Sequence, residues 1–103
     1  MLFRSDEFGI PEEFALHQNY PNPFNPVTTI AFDVPEQSDV LVEIYSVTGQ
    51  RVKTLVNQNI DAGFHKIMWN GTNDAGVGLA SGMYIYKISA NNFTNVKKLI
   101  FMK

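Results

Sequence analysis

From Val27 onward, apolar and polar residues alternate with a period of two. Ile30, Phe32 and Val34 fall on one face and Thr29, Ala31 and Asp33 on the other, until Pro35 closes the run. Val40, Val42 and Ile44 then alternate with Leu41, Glu43 and Tyr45 up to a turn signal at Gly49. Arg51 to Val56 predicts the returning strand of a hairpin. Asp61-Ala62-Gly63 marks a further turn, after which His65, Ile67 and Trp69 alternate with Phe64, Lys66 and Met68, and Trp69 is the expected core anchor. Asn70 to Gly82 holds four glycines and predicts a long loop, with room for a short strand around Val77 to Leu79. Strands from Met83 to Ala90 and from about Thr94 to Met102, joined by Asn91-Asn92, complete the pattern. No useful window repeats apolar residues at i, i+3, i+4 and i+7. The expectation is an all-β immunoglobulin-like β-sandwich of about seven antiparallel strands.

Two segments precede the alternating region. Residues 1 to 13 are mixed, acidic and broken by Gly9 and Pro11, which reads as a poorly ordered linker or junction tail ahead of a domain at 14 to 103. Next comes Phe14-Ala15-Leu16-His17-Gln18-Asn19-Tyr20-Pro21-Asn22-Pro23-Phe24-Asn25-Pro26. Its three prolines fix their own φ and restrict the residues before them, while Asn22 and Asn25 can close turns onto the backbone. A stiff, kinked collar is expected, either closing one end of the sandwich with Tyr20 and Phe24 tucked inward or offering a rigid surface for recognition.

Length and composition narrow the function classes. A chain of 103 residues fits one domain, and eight Phe, four Tyr and one Trp supply a real core. The formal charge is −2 and the basic residues are scattered apart from Lys97-Lys98, so no nucleic-acid partner is expected. No apolar run approaches the roughly 18 residues that cross a bilayer, so membrane insertion is not expected. The first residues lack a signal peptide's basic start and apolar run. Without cysteine there is neither a disulfide nor a thiolate metal site.

Candidate chemistry is sparse. His65 alternates in phase with Ile67 and Trp69, which favours a hydrogen-bonded structural histidine over a ligand; the only other histidine is His17. Asn70, Asn73 and Asp74 make an oxygen-rich loop without the spacing of a calcium loop, so turn formation is the favoured role and calcium the alternative. No serine sits in a Gly-x-Ser-x-Gly setting, and Glu12 and Glu13 lie in the expected tail, where no fixed separation can be held. Neither catalysis nor a cofactor is expected.

Taken in order, Leu16 to Pro26, Val42-Glu43-Ile44-Tyr45 with Thr48-Gly49, Ala62-Gly63 with His65 and Trp69-Asn70-Gly71, Ala80-Ser81-Gly82-Met83-Tyr84, and Lys97-Lys98-Leu99-Ile100 form five blocks. This set resembles the C-terminal sorting domains of type IX (Por) secretion cargo, a group related to the Ig-like domain of flagellar hook-capping proteins. Asn70 departs from the Asp often found there. The resemblance implies a secretion and cell-surface sorting label for an N-terminal passenger, recognised by outer-membrane machinery and a sorting protease. It further implies export through the periplasm to the medium or the outer cell surface. Partner recognition would fall on Tyr20, Pro21, Asn22, Pro23, Phe24, Asn25 and Pro26, and on the last strand through Lys97, Lys98 and Lys103, where an unpaired edge could accept a partner strand. The alternative is a carbohydrate- or protein-binding accessory module of a secreted enzyme, using Tyr45, Phe64 and Phe93.

Overall fold

The computed structural model describes residues 10–103. Its seven strands are β1 (Ala15–Leu16), β2 (Thr28–Val34), β3 (Ser38–Ser46), β4 (Arg51–Ile60), β5 (Gly63–Trp69), β6 (Gly82–Ala90) and β7 (Phe93–Phe101). Every strand pairing is antiparallel, in a three-stranded sheet ordered β1-β2-β5 and a four-stranded sheet ordered β4-β3-β6-β7. The expected all-β sandwich is present, and no helix forms among the described residues.

The period of two decides which side chains meet between the sheets. Ile30, Phe32 and Val34 of β2 face Val40, Val42 and Ile44 of β3, with Tyr86 and Ile88 of β6 and Leu99 of β7; each is 1% exposed or less. Removing one such side chain from a close-packed interior costs about 2–5 kcal/mol for a large-to-alanine change. Trp69 is buried as anticipated, and its indole N–H donates to the Thr72 carbonyl at 2.9 Å, so its polar edge is satisfied.

Three local features differ from the alternation pattern. β4 continues to Ile60, past the expected Val56, with register shifts opposite Val42/Glu43 and Ile44/Tyr45. Val77 to Leu79 forms no strand; one bridge between Thr72 and Gly78 holds the loop. Residues 1–9 of the expected tail lie outside the described residues, but Pro11 is buried and Phe14 stacks on Phe93 at 5.5 Å. The β6–β7 connection is the two-residue Asn91-Asn92 loop, with Asn91 at φ 53, a left-handed conformation that asparagine tolerates.

Candidate functional site

The Tyr20–Pro26 collar is an excursion between β1 and β2 that reaches across to the other sheet. Tyr20 and Thr29 exchange backbone hydrogen bonds at 3.0 and 2.9 Å, closing its base. At its far point the Phe24 N–H donates to the Ile100 carbonyl at 2.9 Å, and the Met102 N–H donates to the Phe24 carbonyl at 3.0 Å. Asn22 Oδ1 accepts from the Ile100 N–H at 2.9 Å. The peptide bonds preceding Pro21, Pro23 and Pro26 are all cis.

The two collar aromatics have opposite fates. Phe24 is 2% exposed, stacked on Phe101 at 4.8 Å and tilted against Trp69 at 5.5 Å, whereas Tyr20 is 80% exposed. Only Phe24 is therefore tucked into the core, where the closing reading expected both aromatics; Tyr20 projects into solvent. Pro21, Asn22, Pro23, Asn25 and Pro26 are exposed beside it.

A buried polar network sets the collar on the sandwich. Asn19, 2% exposed, donates through its side-chain amide to Thr28 Oγ1 at 2.9 Å and to the Pro21 carbonyl at 3.2 Å. Thr28 Oγ1 donates to the same carbonyl at 2.8 Å. The Tyr86 hydroxyl, reaching from β6, accepts from the Asn19 N–H at 2.9 Å and donates to the His17 carbonyl at 2.6 Å. Burial pushes the Tyr86 phenol up to about 12, offset in part by the Asn19 N–H, which favours the phenolate.

Tyr86→Phe should therefore cost about 2 kcal/mol, because it leaves the Asn19 donor unpaired in the interior and takes the partner from the part-buried His17 carbonyl. The pH dependence has a defined sign. With the folded pKa above the unfolded value near 10, the folded state holds its proton more tightly, so stability is complete below about pH 10 and declines as pH rises through 12. Urea titrations of both proteins at pH 8 and pH 11 should show a gap that narrows at the higher pH. An unchanged gap would refute the assignment.

The terminal strand is less open than its sequence suggests. β7 is an edge of its sheet, but from Lys98 to Met102 its outer side is covered. The Gln18 side-chain amide donates to the Lys98 carbonyl at 2.8 Å, and Asn22 and Phe24 take up Ile100 and the Met102 N–H. Lys97 and Lys98 fall on opposite faces of β7, Lys97 half-buried on the side of Leu99 and Lys98 exposed on the other, so they do not form one charged patch. Lys103 sits apart, its N–H donating to Ser81 Oγ at 2.9 Å and its ammonium 5.9 Å from the centre of the Phe101 ring. The structure thus joins the collar to Ile100–Met102 and scatters the lysines.

The remaining candidates are occupied structurally. His65 stacks on Phe32 at 5.5 Å and its Nε2 lies 2.8 Å from the Asp61 carbonyl. His17 Nε2 lies 2.9 Å from Asp33 Oδ2. Asn70 Oδ1 accepts from Thr72, Asn73 Oδ1 from the Ala75 and Val77 N–H groups, and Asp74 Oδ1 from the Thr54 N–H, so these side chains build the turn. The three candidate sugar-binding aromatics share no platform. Tyr45 donates to Glu43 at 2.8 Å on the four-stranded sheet, Phe64 lies on the other sheet, and Phe93 is stacked on Phe14.

A family model, that of the FlgD Ig-like domain, matches residues 21–93, from within the collar to the first residue of β7. The chain belongs to the FlgD Ig-like domain family. Among solved structures, its backbone is similar to part of dimeric latent PorU from Porphyromonas gingivalis, with TM-score 0.68 and 24% identity over 84% of this chain. It is also similar to part of PorZ from the same organism, described as an essential bacterial surface component of the type-IX secretion system, with TM-score 0.58 and 19% identity over 86% of this chain. The matched regions are 9% and 12% of those two chains, so the likeness is to one domain of each. No curated protein matches. In this Ig-like domain the family match begins inside the collar, at Pro21, and the packed rings of Phe24, Trp69 and Phe101 close that end of the sandwich.

Proposed function

We propose that this domain is a non-catalytic sorting label that directs an N-terminal passenger through the type IX secretion system to the medium or the outer cell surface, with the Tyr20–Pro26 collar as its recognition element. The observation that carries this reading is the collar's division of labour. Phe24 is locked into the core while Tyr20, four residues earlier, stands 80% exposed on the same proline-braced segment. An aromatic side chain standing in water contributes little to folding, and because the proline-braced backbone that carries it is already ordered, a partner that grips it has less chain entropy to overcome. The backbone likeness to domains of PorU and PorZ adds support from fold alone. Outer-membrane machinery would read the collar, and a sorting protease would cut on its N-terminal side.

The test is a fusion of residues 1–103 behind a neutral periplasm-competent reporter in a bacterium with type IX machinery. The reporter should reach the medium or cell surface, and Tyr20→Ala should cut export at least tenfold while the melting temperature of the purified domain falls by no more than about 4 °C. Retention of the parent fusion in the periplasm would overturn the proposal. Deleting Thr94–Lys103 is not a clean alternative, because it removes the buried Leu99 and Phe101 along with any recognition surface.

A further inference from the structure

A sandwich of two open sheets has four edge strands, and unpaired edges invite other chains unless they are covered. Here β1 has two residues, β7 is covered by the collar from Lys98 to Met102, and β4 is covered where Asp74 takes the Val52 carbonyl and the Thr54 N–H. Beyond Thr54, the exposed stretch of β4 is the polar run Asn57-Gln58-Asn59. The seven-residue β5 is the edge left open along its whole length among the described residues, and Phe64 and Met68 on it are 47% and 67% exposed.

The hydrogen-bond phase shows which β5 groups are free. Thr29 and Ala31 of β2 bond toward Tyr20 and His17, so the alternate residues Thr28, Ile30, Phe32 and Val34 turn their backbone groups to β5. Their partners are Trp69, Ile67, His65 and Gly63. It follows that Phe64, Lys66 and Met68 direct their N–H and C=O groups away from the sheet, and none of these has a partner among the described residues. Beside this edge lies an open groove of about 400 Å³ between the sheets, lined by Val27, Lys53, Leu55, Met68 and Trp69.

From this arrangement we infer that β5 is a strand-addition site for an extended, acidic polypeptide segment. The three free donor–acceptor pairs supply a ladder, and alternate side chains of the incoming strand face the groove. Charge selects the occupant. Lys66 sits between the two exposed apolar residues and Lys53 lines the groove, and neither has an ion-pair partner among the described residues. A carboxylate opposite Lys66 would be paired favourably. A second copy of this chain fits poorly, because the fullest antiparallel register sets Lys66 directly against Lys66. The inference stands apart from the sorting reading and involves a different face from the collar.

The probe is an end-capped peptide, Thr-Val-Leu-Glu-Thr-Val-Thr, added to the isotopically labelled 103-residue chain. Saturable binding should shift the Phe64, Lys66 and Met68 amides and slow their hydrogen exchange. Lys66→Glu should weaken binding at least tenfold, and a peptide with Lys in place of Glu should restore it. A peptide N-methylated at its second, fourth and sixth residues should not bind the parent chain. Equal binding of that peptide, absence of saturation, or shifts confined to β7 and the collar would overturn the inference. So would protection of the three amides that rises with protein concentration alone, which would make the occupant a second copy.

Discussion

Phe24→Ala is expected to destabilise the domain by about 3–5 kcal/mol, the usual cost of emptying a buried phenylalanine site. The side chain is 2% exposed and fills the space between Phe101 and Trp69, with ring centroids at 4.8 and 5.5 Å. Its loss also removes the anchor that lets the collar hold β7, since the two backbone bonds at Phe24 depend on the ring being seated. Amide exchange at Phe24 and Met102 should therefore accelerate more than exchange across β3–β6. Tyr20→Ala, on an exposed side chain with no side-chain hydrogen bond among the described residues, should change stability by no more than about 0.5 kcal/mol. Chemical denaturation of both variants checks the contrast; similar losses for the two would show that the aromatic division across the collar is wrong. This contrast is what makes the export assay on Tyr20→Ala interpretable, because recognition can be altered there without melting the domain.

Gly71→Ala is expected to cost about 2–5 kcal/mol through two separate effects. Gly71 has φ +75, where an L-residue other than glycine loses about 1–2 kcal/mol. A Cβ there would also lie 2.6 Å from two ring carbons of Phe101, and relieving such an overlap typically costs another 1–3 kcal/mol. The ring cannot retreat freely, because Phe24 is stacked on it. Gly49 separates the two effects: at φ +88 with nothing within 4 Å of a built Cβ, Gly49→Ala carries only the backbone cost. A Gly71→Ala/Phe101→Leu double variant should be more stable than the sum of the single changes by at least about 1 kcal/mol, as expected for groups in contact. Equal losses at Gly49 and Gly71, or strict additivity in the double variant, would place the constraint in the backbone alone. The turn at Asn70-Gly71 is thus bound to the far end of β7: glycine is required because a ring from a residue thirty positions later packs against its backbone.

Local pattern carried a large part of this molecule. Alternation along Ile30 to Val34, Val40 to Ile44 and His65 to Trp69 assigned the inward faces correctly, because side-chain direction in a strand is a property of adjacent residues. The same phase made His65 a structural residue, and residue type and spacing made Asn70 and Asn73 turn formers; hydrogen bonds within a few positions of these side chains explain why. Proline placement likewise foretold a braced collar. What composition and spacing did not contain was which collar aromatic turns inward, since Tyr20 and Phe24 stand in similar local settings. That choice rests on Phe24 pairing with Phe101 across the sandwich. The openness of the last strand was misjudged for the same reason: the groups covering β7 come from Gln18, Asn22 and Phe24, with a separation of 78 residues between Asn22 and Ile100. β5 reads from its residues as an ordinary half-buried strand, and only sheet order makes it an edge with three free backbone pairs beside a groove. The amino-acid sequence by itself therefore determined the strands, their inward faces and the stiffness of the collar, because these follow from steric preferences over a few bonds. The edges and their covers were decided by tertiary structure, because whether a backbone group is paired depends on segments brought together only when the two sheets close.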